Sequence, residues 1–118
     1  MLSRDEILNA DDLEYIDVEV PEWGGSVRVA MMSGAGRDEY EQSLFKFAPD
    51  GSAKPDLQNS RAKLLSVCLV DEKNERLFSV KDIEALGRKN SRVLDNLHAV
   101  ADQLNSVTPS AIKDEAKN

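Results

Sequence analysis

Cysteine and histidine each occur once in this chain of 118 residues, as Cys68 and His98. One thiol closes no internal disulfide, and one thiol with one imidazole is too small a set for a zinc site. Aromatic side chains are scarce too, at 5% of the chain, so a core has to come mainly from Leu, Val, Ile and Ala. Cationic side chains are outnumbered, 15 Lys and Arg against 22 Asp and Glu, for a net charge of −7. Nucleic acid or an anionic membrane needs clustered Lys and Arg, so neither is expected as a partner. No apolar run approaches the length that spans a bilayer, and the opening MLSRDEIL lacks the apolar stretch of a secretory signal. The lone thiol agrees with a reducing compartment, and a soluble cytoplasmic protein is expected.

What is present suffices for folding. Hydrophobic residues make up 41% and charged residues 31%, a balance that buries a core and lacks the signature of disorder. The length suits one domain, read here as residues 1–108. Thr108 and Pro109 then open a short helical or frayed tail over 109–118, as N-cap and first helical residue.

Local patterns fill in that domain. Ser3 with Glu6 forms a capping box for a short first helix. In YIDVEVPEWGGSVRVAMM, residues 15–32, Ile16, Val18 and Val20 alternate with polar neighbours, and Val27, Val29 and Met31 do so after the turn. This is an antiparallel hairpin that brings Arg28 near Asp17 or Glu19. Met31 and Met32 fall on opposite strand faces. After SGAG, the stretch RDEYEQSLFKFA reads as a helix with Tyr40, Leu44, Phe47 and Ala48 on one face and Phe45 flanking it. PDGSAKP, residues 49–55, is the clearest loop. The next helix, from about Asp56 to Val70, puts Leu57, Leu64, Leu65 and Cys68 on a stripe that also contains Arg61. DEKNER is a tight turn with Asn74 in the left-handed region. Ser79 and Asp82 cap a short helix that Gly87 ends, and the longest helix runs from about Ser91 to Val107. Its stripe is Val93, Leu94, Leu97, Val100, Ala101 and Leu104. The expected fold is α+β and mostly helical, an N-terminal antiparallel β-hairpin packed on a bundle of about four helical segments.

No motif in this order carries catalysis. Cys68 lies mid-stripe among leucines, which suits a buried thiol, and His98 lies off its helix's stripe at a boundary position. The acidic pairs Asp11–Asp12 and Asp71–Glu72 match no calcium loop, and GGS and SGAG lack the lysine and spacing of a phosphate loop. Binding features remain. Trp23, at the hairpin turn, either folds back over the open end of the hairpin or anchors a partner. Phe45 and Met32 are weaker candidates for the same surface. Arg61 either snorkels from its stripe or pairs with a buried carboxylate. The composition therefore describes an acidic, non-enzymatic interaction domain.

Three stretches together, MLSRDEILNADDL, VEVPEWGGSVRVAMMSGAGRDEYE and LVDEKNERLFSVKDIEALGRKNSRVLDNLHAVADQLN, resemble the tail assembly chaperones of long-tailed, siphovirus-type bacteriophages. The likeness covers most of the chain except KFAPDGSAKPD and the last dozen residues, and Asn74 stands where a turn glycine is expected. It implies a protein with no cofactor or metal, made in the host bacterial cytoplasm and missing from the mature virion. Its implied partners are the tape measure protein, which it keeps soluble, and the tail tube protein, which it helps recruit. A structural virion component, a head–tail connector or minor tail protein, is the competing reading. The likeness also implies a longer, frameshifted form of the chain as a partner, since the closing AKN is codable by a slippery A-AAA-AAC run. The gene sequence tests this directly: without such a run near the end of the reading frame, the frameshifted form is ruled out.

Overall fold

The computed structural model describes residues 1–106 of the chain, so the tail expected over 109–118 lies outside the described residues. The elements run α1 (Arg4–Asn9), β1 (Tyr15–Val20), β2 (Gly25–Ala30), α2 (Gly34–Ser43), β3 (Phe45–Phe47), β4 (Ala53–Pro55), α3 (Ser60–Cys68), β5 (Leu69–Val70), α4 (Ile83–Leu86) and α5 (Ser91–Asn105). Short 3-10 turns at Pro21–Trp23 and Val80–Asp82 complete an α+β architecture. Both capping boxes read from the sequence are made, Ser3 with Glu6 and Ser79 with Asp82.

The hairpin adopts the register that its alternation requires, Tyr15 opposite Ala30 through Val20 opposite Gly25. Gly24, at φ 76°, supplies the left-handed residue that closes the turn after Trp23. Arg28 faces Asp17, and its Nε donates to the carboxylate at 2.8 Å. The guanidinium also donates to the Glu72 carbonyl and the Asn74 side chain, at 3.2 and 3.0 Å, and lies 3.8 Å over the Tyr15 ring. That hydrogen bond holds the Asp17 carboxyl below the usual carboxylate range. Asn74 is left-handed at φ 65°, which points its side chain toward Arg28.

On the other edge of β2, β5 pairs antiparallel, with Val29 opposite Leu69, to give the sheet order β1-β2-β5. The helix expected to run on to Val70 therefore stops at Cys68. Two residues that read as helical by period become strand because β2 offers them a ladder.

The same helix begins at Ser60 rather than Asp56, after Asn59 in the left-handed region. Leu57, placed on its stripe by the sequence, is exposed. More consequential is how α3 is covered: every residue from Ala62 to Val70 is buried, so it has no solvent face from which a stripe could be read. It lies against α2, α4, α5 and β2. Gly36 on α2 and Gly87 after α4 mark close approaches, since a Cβ there would stand 3.0 Å from Val67 and 2.4 Å from the Asn59 amide oxygen. Gly87 ends α4 as read, but with φ −64°, so its role is this approach and not a left-handed cap.

Around α3 the core gathers Val20, Val29, Leu64, Leu65, Leu69, Leu86, Val93, Leu94, Leu97 and Ala101, with Val100 and Leu104 packed at its edge. The α5 stripe is the one read from the sequence. Lys63 is buried and donates from Nζ to the Asp56 carbonyl at 2.8 Å, with the Asp56 carboxylate 3.5 Å away. Asn105 is also buried, and it fastens three elements together. Its Oδ1 accepts from the Met32 N–H at 2.6 Å, and its Nδ2 donates to the Ala101 carbonyl at 2.9 Å and to Cys68 Sγ at 3.6 Å.

The largest departure from expectation is the stretch after Ser43. There α2 ends, five residues short of Ala48, and Phe45 stands on a strand rather than flanking a helical stripe. The turn chemistry of PDGS accounts for this: Gly51 takes φ 87°, and the Asp50 carboxylate accepts from the Ser52 N–H and Oγ at 2.9 and 2.7 Å. That closure draws β3 and β4 into a second hairpin, Phe45 opposite Pro55 and Phe47 opposite Ala53.

Truncating the polar staple tests its weight. Asn105→Ala leaves the Met32 N–H without an acceptor, and we expect a loss of about 1–3 kcal/mol in denaturant unfolding. A loss under about 0.5 kcal/mol, the range of a neutral surface change, would show that the staple is dispensable.

Candidate partner-binding surface

Trp23 closes the 3-10 turn that Pro21 starts, and the turn sends its ring back toward the helices. The ring is half-buried, packed against the core on one side and open on the other. With Phe78, Ala85, Leu86 and the stems of Asp82 and Lys89 it lines an apolar cleft of about 310 Å³. The ring thus folds back, as one of the two alternatives raised by the sequence has it, and part of it stays exposed. Phe78 and Leu86 were not singled out in the sequence; they lie far from Trp23 along the chain, and only the fold of α4 against the hairpin brings them there.

Met32 is placed elsewhere. Strand β2 ends at Ala30, and Met31 and Met32 follow it at the base of the hairpin, the far end from Trp23. They line a second, more polar cleft of about 440 Å³ with Leu13, Tyr15, Val67 and the ion-paired Glu39 and Arg76. The two clefts are separated by the length of β2, roughly 20 Å at 3.3 Å per residue. Phe45 lies on neither, being on the β3–β4 hairpin. Trp23, Met32 and Phe45 therefore do not share one surface patch. Arg61 is half-exposed and ion-paired with Asp95 of α5, which is likewise half-exposed, so the pair ties two helices at the surface.

Several large apolar groups stay uncovered outside these clefts. On α1, Ile7 and Leu8 are 57% and 64% exposed, and no residue of that helix is buried. Phe45 and Phe47 are 45% and 66% exposed.

The groups weighed for catalysis are engaged in structural contacts. Cys68 is buried, and burial pushes its thiol up from 9.0 to about 12, against the lowering effect of the Asn105 hydrogen bond. His98 pairs through Nδ1 with Asp102 on the same helix, at 3.1 Å. Among the described residues no three His, Cys, Asp or Glu side chains cluster as metal ligands, and no helix is long and apolar enough to cross a membrane.

The family model described as phage tail assembly chaperone matches residues 6–118. The chain belongs to that family. The solved structure of the bacteriophage HK97 tail assembly chaperone is similar to it, at 21% identity and a TM-score of 0.59, covering 85% of this chain and 94% of that one. At that identity the likeness is one of fold. No curated protein matches the chain. Membership of that family agrees with a surface that leaves large apolar groups exposed.

The raised thiol pKa makes a direct prediction. A water-soluble disulfide reagent should label Cys68 on the order of 100-fold more slowly in the native protein than in denaturant. Equal rates would mean that α3 is open to solvent.

Proposed function

We propose that this chain binds the tape measure protein in the host bacterial cytoplasm during tail assembly, keeps it soluble and helps recruit tail tube subunits around it. The observation that carries the proposal is the Trp23 cleft, an open apolar trough walled by Phe78, Ala85 and Leu86. A long helical protein presents apolar stripes that aggregate when bare, and a helix lays such a stripe into a trough of this kind through a few large anchors. The net charge of −7 keeps the resulting complex dispersed. On this reading the chain acts without a catalytic step, a cofactor, nucleic acid or a membrane, and it leaves before the particle is complete. A structural role in the virion would instead place the chain in purified particles at fixed copy number, which mass spectrometry of those particles decides.

Co-expression with the tail proteins of the same genome tests the proposal. The tape measure protein should stay in the soluble fraction and co-purify only when this chain is present. Trp23→Ala should fold, by circular dichroism, and bind about 30-fold more weakly, the loss of one interface anchor. A folded Trp23→Ala protein with full binding and solubilising activity would remove the cleft from the mechanism.

A further inference from the structure

The second hairpin carries features that its own fold does not use. Cross-strand partners share a face, so Phe45, Phe47, Ala53 and Pro55 form one side and Lys46 and Lys54 the other. All six residues are exposed. Two lysines directly opposite one another repel, and neither has an ion-pair partner among the described residues. The Asp56 carboxylate, which feels the charge of Lys46, already accepts from the Gln58 N–H at 3.2 Å and faces Lys63 at 3.5 Å. In a chain so rich in acid this is a cationic pair left open.

The backbone is equally unfinished. The Ala48 N–H donates to the Ser52 carbonyl and the Asp56 N–H to the Leu44 carbonyl, at 2.8 and 2.7 Å. Antiparallel alternation then makes Lys46 and Lys54 the inward hydrogen-bonded pair, and it turns the N–H and C=O groups of Phe45 and Phe47 outward. The edge of β4 is weaker, because Pro55 has no N–H to offer. An isolated two-stranded hairpin is marginal in water, and this one holds like charges on one face and bare phenyl rings on the other.

We propose that the free edge of β3 takes up an extended segment of another protein as a third strand, and that this segment alternates apolar and acidic residues. A carboxylate placed opposite Lys46 falls on the lysine face and ends the Lys46–Lys54 repulsion. Apolar neighbours placed opposite Phe45 and Phe47 fall on the phenyl face and cover it. The backbone groups of Phe45 and Phe47 supply the ladder. This surface is separate from the Trp23 cleft and does not rest on the tape measure reading.

Short blocked peptides test the proposal by amide NMR of the full chain. A peptide alternating valine and glutamate should shift the amide resonances of residues 45–47, with an affinity that falls as salt is added. The same peptide with lysine for glutamate should bind about tenfold more weakly, and the double variant Lys46→Glu/Lys54→Glu should reverse that order. An N-methylated acidic peptide, which cannot complete the ladder, should not bind. Equal binding of acidic and basic peptides, or shifts confined to residues outside the hairpin, would overturn the proposal. So would a concentration-dependent shift of residues 45–47 without peptide, since a second copy would then occupy the edge. These measurements read the wild-type chain with the two peptides, so they decide the matter even if the double variant fails to fold.

Discussion

Helix α3 is buried on every side, and most of the architecture follows from having to cover it. From Ala62 to Val70 no residue is more than 8% exposed. Each fully buried Leu or Val in that run stabilises the fold by roughly 1.5–3 kcal/mol, but only while its neighbours stay in place. Four elements are therefore recruited around one short helix: α5 through its stripe, α2 and α4 through glycine-mediated close approaches, and β2 through the ladder to β5. The polar groups enclosed with it have to be matched inside. Lys63 is answered by Asp56, the Ser66 carbonyl by Arg76 and the Met32 amide by Asn105. Asn105 is the most connected of these, since one side chain fixes the end of α5, the strand exit at Met32 and the thiol of α3.

Concentrating the core on one helix leaves the remaining segments with little to bury. The hairpin shows the gradient within a single strand face, from Val20 in the core through Val18 at its edge to Ile16 in solvent. Helix α1 and strands β3 and β4 contain no fully buried residue. Segments of this kind open at low free energy, and they are the ones able to rearrange onto a partner without disturbing the core. A family whose members assist assembly has a use for such a division between a fixed centre and adaptable projections.

The sequence showed some of this plainly and hid the rest for identifiable reasons. Alternation around PEWGG set the hairpin register, the Ser-x-x-acid boxes set two helix starts, and the 3.6-residue stripe set the face of α5. All of these are written within a few residues of where they act. The burial of α3 does not show as a stripe because the helix has no polar face beyond Arg61, which stands at its exposed start. LFKFA carries apolar residues at spacings compatible with both helix and strand, and only the turn chemistry of PDGS decided between them. Strand β5 was invisible because two residues have no period, and their partner lies far away in sequence. The site followed the same pattern: Trp23 stood out alone, whereas Phe78 and Leu86 became its neighbours only through long-range packing.

On the proposed function, the half-buried state of Trp23 resolves a tension that any transient binder of apolar surface faces. A fully exposed indole would make the free protein prone to self-association, and a fully buried one would have nothing left to offer. Burial of a Trp side chain involves some 150–250 Å². About two thirds or more of that is already covered, so the remaining surface, under about 90 Å², supplies at most about 2 kcal/mol to a partner. That is the size of one interface anchor, sufficient to select a helix presenting a complementary stripe and too small to hold it permanently. The wall of Phe78 and Leu86 matters for the same reason, because it holds the ring in place and reduces the ordering cost that binding would otherwise incur. If the proposed function holds, the same residues that keep the ring from being a liability in the free protein set the energy available for a contact that is made and later released.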